Sequence, residues 1–337
     1  LKLYKIFFFN TMILGTLIAI SSYTWIGMWL GLEVNLLSII PLMNSTKNMF
    51  SSEASLKYFI TQVMASLILL LSIVLMMITT SEFITPMVNS ALVILLNSAL
   101  LTKLGAAPFH YWFPEVMEGL NWINCSILLT WQKIAPMALL MNNMIQVNFL
   151  FIVIILSLLV STTMSLNQVS LRKIMAFSSI NHIAWMLSAM VTSTSTWFIY
   201  LSIYMIVTLT ITYVFNFSKM FFINQIPSFL NKNKTLKLTF MINFLSLGGL
   251  PPFFGFLPKW VTVNWLVMNN YELLSIILIV STLVLLFVYI RVLMTSLVMG
   301  YSEPKSLPSK LNKQISAMLN FLSISGLVSC TFLYNFI

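Results

Sequence analysis

Runs of about 20 apolar residues recur from one end of this sequence to the other, and each is long enough to cross a bilayer as a helix. Eleven such spans are expected, near 3–21, 25–43, 56–78, 86–104, 123–143, 148–166, 171–191, 196–222, 236–267, 272–298 and 313–335. The sequence is 59% hydrophobic and 7% charged over 337 residues, which leaves little chain for a soluble domain. Backbone amides inside lipid must be satisfied internally, so the fold class is all-α, one polytopic transmembrane helical bundle.

Against that background the internal charges stand out. Lys103, Lys133 and Lys259 lie deep in otherwise apolar stretches, and Glu33 lies in another. One ionised group at mid-bilayer costs about 2.5–3.5 kcal/mol, so four would cost roughly 10–14 kcal/mol. That is close to the whole stability of an ordinary domain, about 5–15 kcal/mol. Such groups are expected to line a polar interior and to serve there as a route for protons or cations. Burial favours the neutral form of an amine, which helps a lysine exchange protons, whereas a nearby carboxylate favours the charged form. Glu33 and Lys103 therefore read as an electrostatic gate, expected to approach within about 4–6 Å in at least one state.

Gly and Pro interrupt two spans in the same way. Residues 104–114 read Leu-Gly-Ala-Ala-Pro-Phe-His-Tyr-Trp-Phe-Pro, and residues 247–258 read Leu-Gly-Gly-Leu-Pro-Pro-Phe-Phe-Gly-Phe-Leu-Pro. Pro108, Phe109 and Pro114 recur at Pro252, Phe253 and Pro258, each 144 residues on. Proline removes amide donors and frees carbonyls, so non-helical backbone is expected around 104–109 and 248–256. Paired broken helices in two halves point to a transport pathway. With spans 1–5 and 6–10 as the halves, the odd count per unit makes the five-helix repeats inverted. One membrane domain, 1–337, then comprises a first half (1–143), a second half (144–300) and a linker with the final span (301–337).

Charge placement sets the topology. Thirteen Lys and Arg, among them Lys2, Lys5, Arg172, Lys173 and Lys219, fall on the side of the N-terminus. The opposite connections carry only Glu82 and Glu272. The positive side is the matrix or cytosol, with the C-terminus opposite. The net charge of +10 is thus topogenic, and nothing in it resembles a nucleic-acid surface. The polar connections 224–237 and 300–314 read as solvated loops on that side, with a dedicated site for membrane lipids or a partner as the alternative. The N-terminal run is too long for a signal peptide and is expected to be retained. Leu at position 1 and the AT-rich codon character of the composition fit an organelle-encoded protein.

Other polar residues carry expectations of their own. His182 is a candidate relay between lysines, with a packing role as the alternative. His110 falls in the first break and is suited to bonding freed carbonyls. Glu115 and Glu118 share a helical face near the positive side, and Lys57 and Arg291 lie toward span ends, where structural roles are expected. Cys125 and Cys330 are far apart in sequence and support neither a disulfide framework nor an iron–sulfur cluster. No metal site and no phosphate-binding glycine motif is legible. Nothing here supplies the ~2.3 kcal/mol that moving one proton against 100 mV requires, so a pump built on this chain must be driven by a partner.

Six strings carry a family resemblance: Glu33-x-Asn-Leu-Leu-Ser, Ser-Glu-Ala-Ser-Leu-Lys-Tyr-Phe (52–59), Lys-Leu-Gly-Ala-Ala-Pro-Phe-His (103–110), Trp-Gln-Lys-Ile-Ala-Pro (131–136), Leu-Arg-Lys-Ile-Met-Ala-Phe-Ser-Ser-Ile-Asn-His (171–182) and Leu-Gly-Gly-Leu-Pro-Pro-Phe-Phe-Gly-Phe-Leu-Pro-Lys-Trp (247–260). Over roughly residues 10–300 the sequence resembles the chain 2 family of mitochondrial NADH–ubiquinone oxidoreductases, in an insect-like version. These are antiporter-like membrane-arm subunits of respiratory complex I. The resemblance implies a proton-translocating subunit of the mitochondrial inner membrane, N-terminus in the matrix and C-terminus in the intermembrane space. It maps the carboxylate–lysine pair onto Glu33 and Lys103, the central relay onto Lys133 and the second-half lysine onto Lys259. It implies subunits 4L and 4 and the lateral helix of subunit 5 as neighbours. Flavin, iron–sulfur clusters and ubiquinone are expected on other subunits, with no cofactor on this chain. A stand-alone Mrp-type cation/proton antiporter and a structural scaffold with vestigial ion pairs are the competing readings.

Overall fold

The computed structural model describes residues 3–45, 48–80, 90–143, 146–227 and 234–298. The expected final span at 313–335, the connection 300–314, Glu82 and Cys330 lie outside the described residues, as do residues 228–233 of the 224–237 connection. Thirteen α-helices are present among the described residues, in two compact units, Leu1–Leu156 and Ser157–Ile337. Among the described residues eight helical stretches are long and apolar enough to cross a membrane, counting α6 and α7 (Trp122–Met141) as one.

In the first unit, α1 (Leu3–Ser21) and α2 (Trp25–Met43) form an antiparallel pair, with Thr24 capping the start of α2 through its hydroxyl. They approach closely because small residues face each other: a methyl group added at Gly31 would lie 2.4 Å from the Ala19 nitrogen. Then come α3 (Met49–Thr80), α4 (Ser90–Leu104), the short α5 (Trp112–Gly119), α6 (Trp122–Leu129) and α7 (Trp131–Met141), and the boundary between the units falls inside α8 (Val147–Ser165). α3 packs on α2, α4 and α5, and α7 packs on α1 and α4.

The span expected over 123–143 is not one helix. Thr130, at φ −113° and ψ −71°, separates α6 from α7. Two local causes combine there. Pro136 has no amide to give the Gln132 carbonyl, which disturbs the turn before it. The Thr130 hydroxyl bonds the Ser126 carbonyl at 2.7 Å, competing with the backbone ladder.

The second unit is built round α9 (Leu171–Thr192), with α10 (Thr194–Ser218), α11 (Lys234–Gly248), α12 (Phe256–Met268) and α13 (Glu272–Val298). α9 is 94% buried at a mean hydropathy of 1.4, whereas α8 and α13 are 39% buried at 2.3 and 2.9. The arrangement inverts that of a soluble protein: lipid takes the most apolar helices, and the helix with Ser178, Ser179, Asn181 and His182 becomes the pillar. Arg291 on α13 donates to the carbonyls of Leu166 (2.6 Å) and Gln168 (2.7 Å), closing the polar backbone after α8. Its role is structural.

Candidate functional site

Both interrupted helices stop at matched points. α4 ends at Leu104 and α11 at Gly248, 144 residues apart, and the next residues, Gly105 (φ 75°) and Gly249 (φ 77°), are left-handed. Each glycine amide bonds back into the last turn: Gly105 to Leu101 (3.0 Å) and Thr102 (3.2 Å), Gly249 to Leu245 (3.1 Å) and Ser246 (3.0 Å). The following amides repeat the match, Ala106 to Leu101 (3.1 Å) and Leu250 to Leu245 (3.4 Å), then Phe109 to Ala106 (2.8 Å) and Phe253 to Leu250 (3.0 Å). This is the left-handed helix stop that glycine makes without a side-chain clash. The correspondence seen in Pro and Phe thus extends to the hydrogen bonds.

In the first unit Lys103 occupies the last turn of α4 and is buried. It borders a cavity of about 10 Å³ lined also by Asn35, Tyr58, Gln62, Gln132 and Pro136. The Gln132 amide donates to Asn35 Oδ1 at 2.8 Å, and the Tyr58 hydroxyl donates to Gln132 Oε1 over a long 3.5 Å. Glu33 lies on α2 between Leu32 and Asn35, which both line this cavity, and it makes no ion pair with Lys103 among the described residues. Its Oε1 is buried and has no hydrogen-bond partner among the described residues. Lys133 is buried at 2% exposure on α7, just past the Thr130 break. The α4 stop is closed by the Trp112 indole, which donates to the Thr102 carbonyl at 3.1 Å.

In the second unit Lys259 is buried on α12, and its ammonium donates to the carbonyls of Gly248 (2.9 Å) and Leu247 (3.2 Å). The same ammonium lies 5.8 Å from the Trp185 ring centroid, within range of a cation–π attraction. His182 sits on α9, its Nδ1 2.9 Å from the Tyr200 hydroxyl and its ring 5.0 Å from that of Tyr204. His182, Tyr200, Tyr204, Ser246 and Gly255 border a second cavity of about 10 Å³. A single water needs about this much space.

The remaining candidates separate from these two groups. Glu115 pairs with Lys57 at 3.0 Å, and Lys57 also meets Glu53 at 3.1 Å, all three well exposed. Glu115 is thereby a surface partner of Lys57, tying α5 to α3. His110 is buried in the first break, its ring 4.3 Å from that of Tyr111, and its Nδ1 has no partner among the described residues. Cys125 is a buried thiol that donates to the carbonyls of Met117 (3.6 Å) and Leu120 (3.7 Å). No cluster of His, Cys, Asp or Glu among the described residues is arranged to hold a metal ion. Asn35, Tyr58, Gln132, Trp112 and Tyr200 carry no expectation from the sequence. Their neutral side chains are ordinary in type, and only contact makes them part of a site.

The family model described as NADH:quinone oxidoreductase/Mrp antiporter, TM, matches residues 22–285. The chain is 47% identical over 332 residues to NADH-ubiquinone oxidoreductase chain 2 of Anopheles gambiae, covering 97% of each chain. It is 42% identical over 335 residues to that of Locusta migratoria, covering 97% of this chain and 96% of the relative. Among solved structures it superposes on a chain of respiratory complex I from Thermus thermophilus with bound aureothin at a TM-score of 0.86 and 23% identity, covering 97% of this chain and 79% of that one. A chain of the Mrp complex from a Dietzia species gives a TM-score of 0.78 at 17% identity, covering 88% and 61%. At those identities the structural likeness speaks for the fold alone. Sequence identity along almost the whole length speaks for more: this chain belongs to the NADH-ubiquinone oxidoreductase chain 2 family, within the NADH:quinone oxidoreductase/Mrp antiporter membrane proteins.

Proposed function

We propose that the chain is a proton-translocating, antiporter-like core subunit in the membrane arm of respiratory complex I. The observation that carries this reading is the pair of matched helix stops, each beside a buried lysine. Glu33, Lys103 and Lys133 act in the first unit, and His182 and Lys259 in the second. Lys103 holds or releases a proton beside the polar cavity according to how strongly the Glu33 carboxylate acts on it, since an opposite charge favours the ammonium. Lys133 offers the next titratable amine, on a helix already interrupted at Thr130. In the second unit freed carbonyls receive the Lys259 ammonium, and His182, held by Tyr200, has both ring nitrogens with which to accept on one side and donate on the other.

The chain itself performs no redox chemistry. Moving a proton against 100 mV requires ~2.3 kcal/mol, and flavin, iron–sulfur and ubiquinone chemistry on other subunits supplies it. The multi-pass bundle sits in the mitochondrial inner membrane with its N-terminus in the matrix, beside subunits 4L and 4 and the lateral helix of subunit 5. A second reading, a stand-alone cation/proton antiporter, draws on the likeness to the Mrp chain. Mass spectrometry of the native assembly separates the two: complex I requires co-purifying flavin- and iron–sulfur-bearing subunits, and their absence favours the antiporter.

The relay itself is tested in complex carrying Lys103→Met or Lys133→Met, reconstituted in liposomes. Methionine keeps an unbranched apolar stem and deletes the titratable group. Proton transport per NADH oxidised is expected to fall sharply with the subunit complement intact. Unchanged transport in both variants overturns the relay.

A further inference from the structure

Thr102, Trp112, Tyr58, Gln132 and Asn35 form one connected chain of contacts in the first unit, and it passes beside every titratable group proposed to work there. The Trp112 indole donates to the Thr102 carbonyl at 3.1 Å, and its ring meets Tyr58 edge to face at 5.7 Å. The Tyr58 hydroxyl reaches Gln132 Oε1 at 3.5 Å, and Gln132 Nε2 donates to Asn35 Oδ1 at 2.8 Å. Five helices are thereby linked: α4, α5, α3, α7 and α2. Thr102 precedes Lys103, Gln132 precedes Lys133, and Asn35 lies two residues after Glu33. Tyr58, Gln132 and Asn35 lie in the wall of the Lys103 cavity, and none of the five carries a charge. Tyr58 and Asn35 are each 3% exposed, so water competes little for these bonds.

We infer that Trp112, Tyr58, Gln132 and Asn35 are positioning residues that set the separations among Glu33, Lys103 and Lys133. The chemistry asks for such a device. The influence of a carboxylate on an ammonium varies steeply with distance where the dielectric is low. Proton transfer requires donor and acceptor at hydrogen-bond reach, directly or through one water. Lys103 ends a helix at a break and Lys133 begins one after a break, so neither is held by an uninterrupted backbone ladder. Side-chain bonds between helices then fix what the backbone leaves loose. The second unit solves the problem differently, because the Lys259 ammonium itself bonds the interrupted backbone.

This inference rests on the proposed relay, and the test keeps the two apart. Tyr58→Phe removes one hydroxyl and keeps the ring on Trp112. Gln132→Leu removes both amide bonds, and Gln132→Asn keeps an uncharged amide that can bond one of the two partners. Proton transport per NADH oxidised and its pH profile are measured in reconstituted complex, beside Lys103→Met and with assembled complex quantified on native gels. Tyr58→Phe and Gln132→Leu are each expected to lower the transport ratio about 3- to 10-fold, as loss of one or two hydrogen bonds allows, and to move its pH profile. The double variant should be no worse than Gln132→Leu alone, since both cut one chain, and Gln132→Asn should recover part of the ratio. An unchanged ratio and pH profile in both single variants, with Lys103→Met defective, overturns the positioning role and leaves the relay standing. A fall in assembled complex with an unchanged ratio also overturns it, because that is how a merely structural contact behaves. Normal transport in Lys103→Met, and in Lys133→Met measured alongside it, defeats the relay itself.

Discussion

Lys259 donates from its ammonium to the Gly248 carbonyl oxygen at 2.9 Å, so a buried cation caps the end of the helix that precedes its own. Its second acceptor, Leu247 at 3.2 Å, stands at the position 144 residues after Lys103. In the first unit the corresponding stop is served by a neutral indole, Trp112 on the Thr102 carbonyl. The two halves therefore share a backbone and differ in what closes it. Cationic closure suits a helix C-terminus, where carbonyl dipoles converge. Indole closure leaves Lys103 to face its cavity.

The difference predicts unequal structural consequences for two otherwise similar substitutions. Lys259→Met strips the donors from two carbonyls, and an unsatisfied buried acceptor costs about 1–3 kcal/mol. The thermal midpoint of the purified complex should fall measurably. Lys103→Met removes no hydrogen bond recorded among the described residues and should shift that midpoint little. Equal shifts would contradict the assigned caps.

Gly105 and Gly249 invite the same comparison. Alanine at either must adopt a left-handed conformation, at about 1–2 kcal/mol. At Gly105 the new methyl would lie 3.2 Å from Phe113 Cβ, whereas at Gly249 it would lie 2.7 Å from Lys259 Cδ and 2.9 Å from Nζ. Gly105→Ala should therefore act mainly through stability, and Gly249→Ala should also displace the ammonium and depress proton transport. Matched transport losses at matched assembly would argue against this.

Gly255 tolerates nothing larger. An added Cβ would fall 1.8 Å from the Ser246 carbonyl oxygen, a backbone atom that cannot swing aside. Gly255→Ala should prevent α12 from folding back against the end of α11, and assembled complex should be nearly absent from native gels. Wild-type abundance would show that the close approach is dispensable.

The proposed gate has no direct Glu33–Lys103 ion pair among the described residues, so it must work through the charge of the carboxylate. Glu33→Gln keeps size and removes charge, so coupled turnover should drop several-fold while assembly persists. Glu33→Asp withdraws the carboxylate by one methylene and should give an intermediate rate. A glutamine variant pumping at the wild-type ratio would remove Glu33 from the gate.

What could be read from residues alone was whatever local chemistry dictates. Apolar length demands spanning helices because lipid offers backbone amides no partner, and Gly105 with Pro108, like Gly249 with Pro252, stops a helix wherever it is placed. Buried charge among apolar neighbours marked Glu33, Lys103, Lys133, Lys259 and His182 as candidates, since its desolvation cost does not depend on the fold. The Thr130 break stayed hidden because threonine is no strong breaker and the apolar pattern runs through it; Pro136, a turn and a half later, was the available signal. Tertiary structure alone decided that Gln132 meets Asn35 across 97 residues, that Trp112 closes one stop while Lys259 closes the other, and that Glu115 turns outward to Lys57. Neutral hydrogen-bonding groups carry no sequence signature of their partners. Their bonds form only where packing brings two helices within about 3 Å at the right angle, and that is a property of the whole bundle.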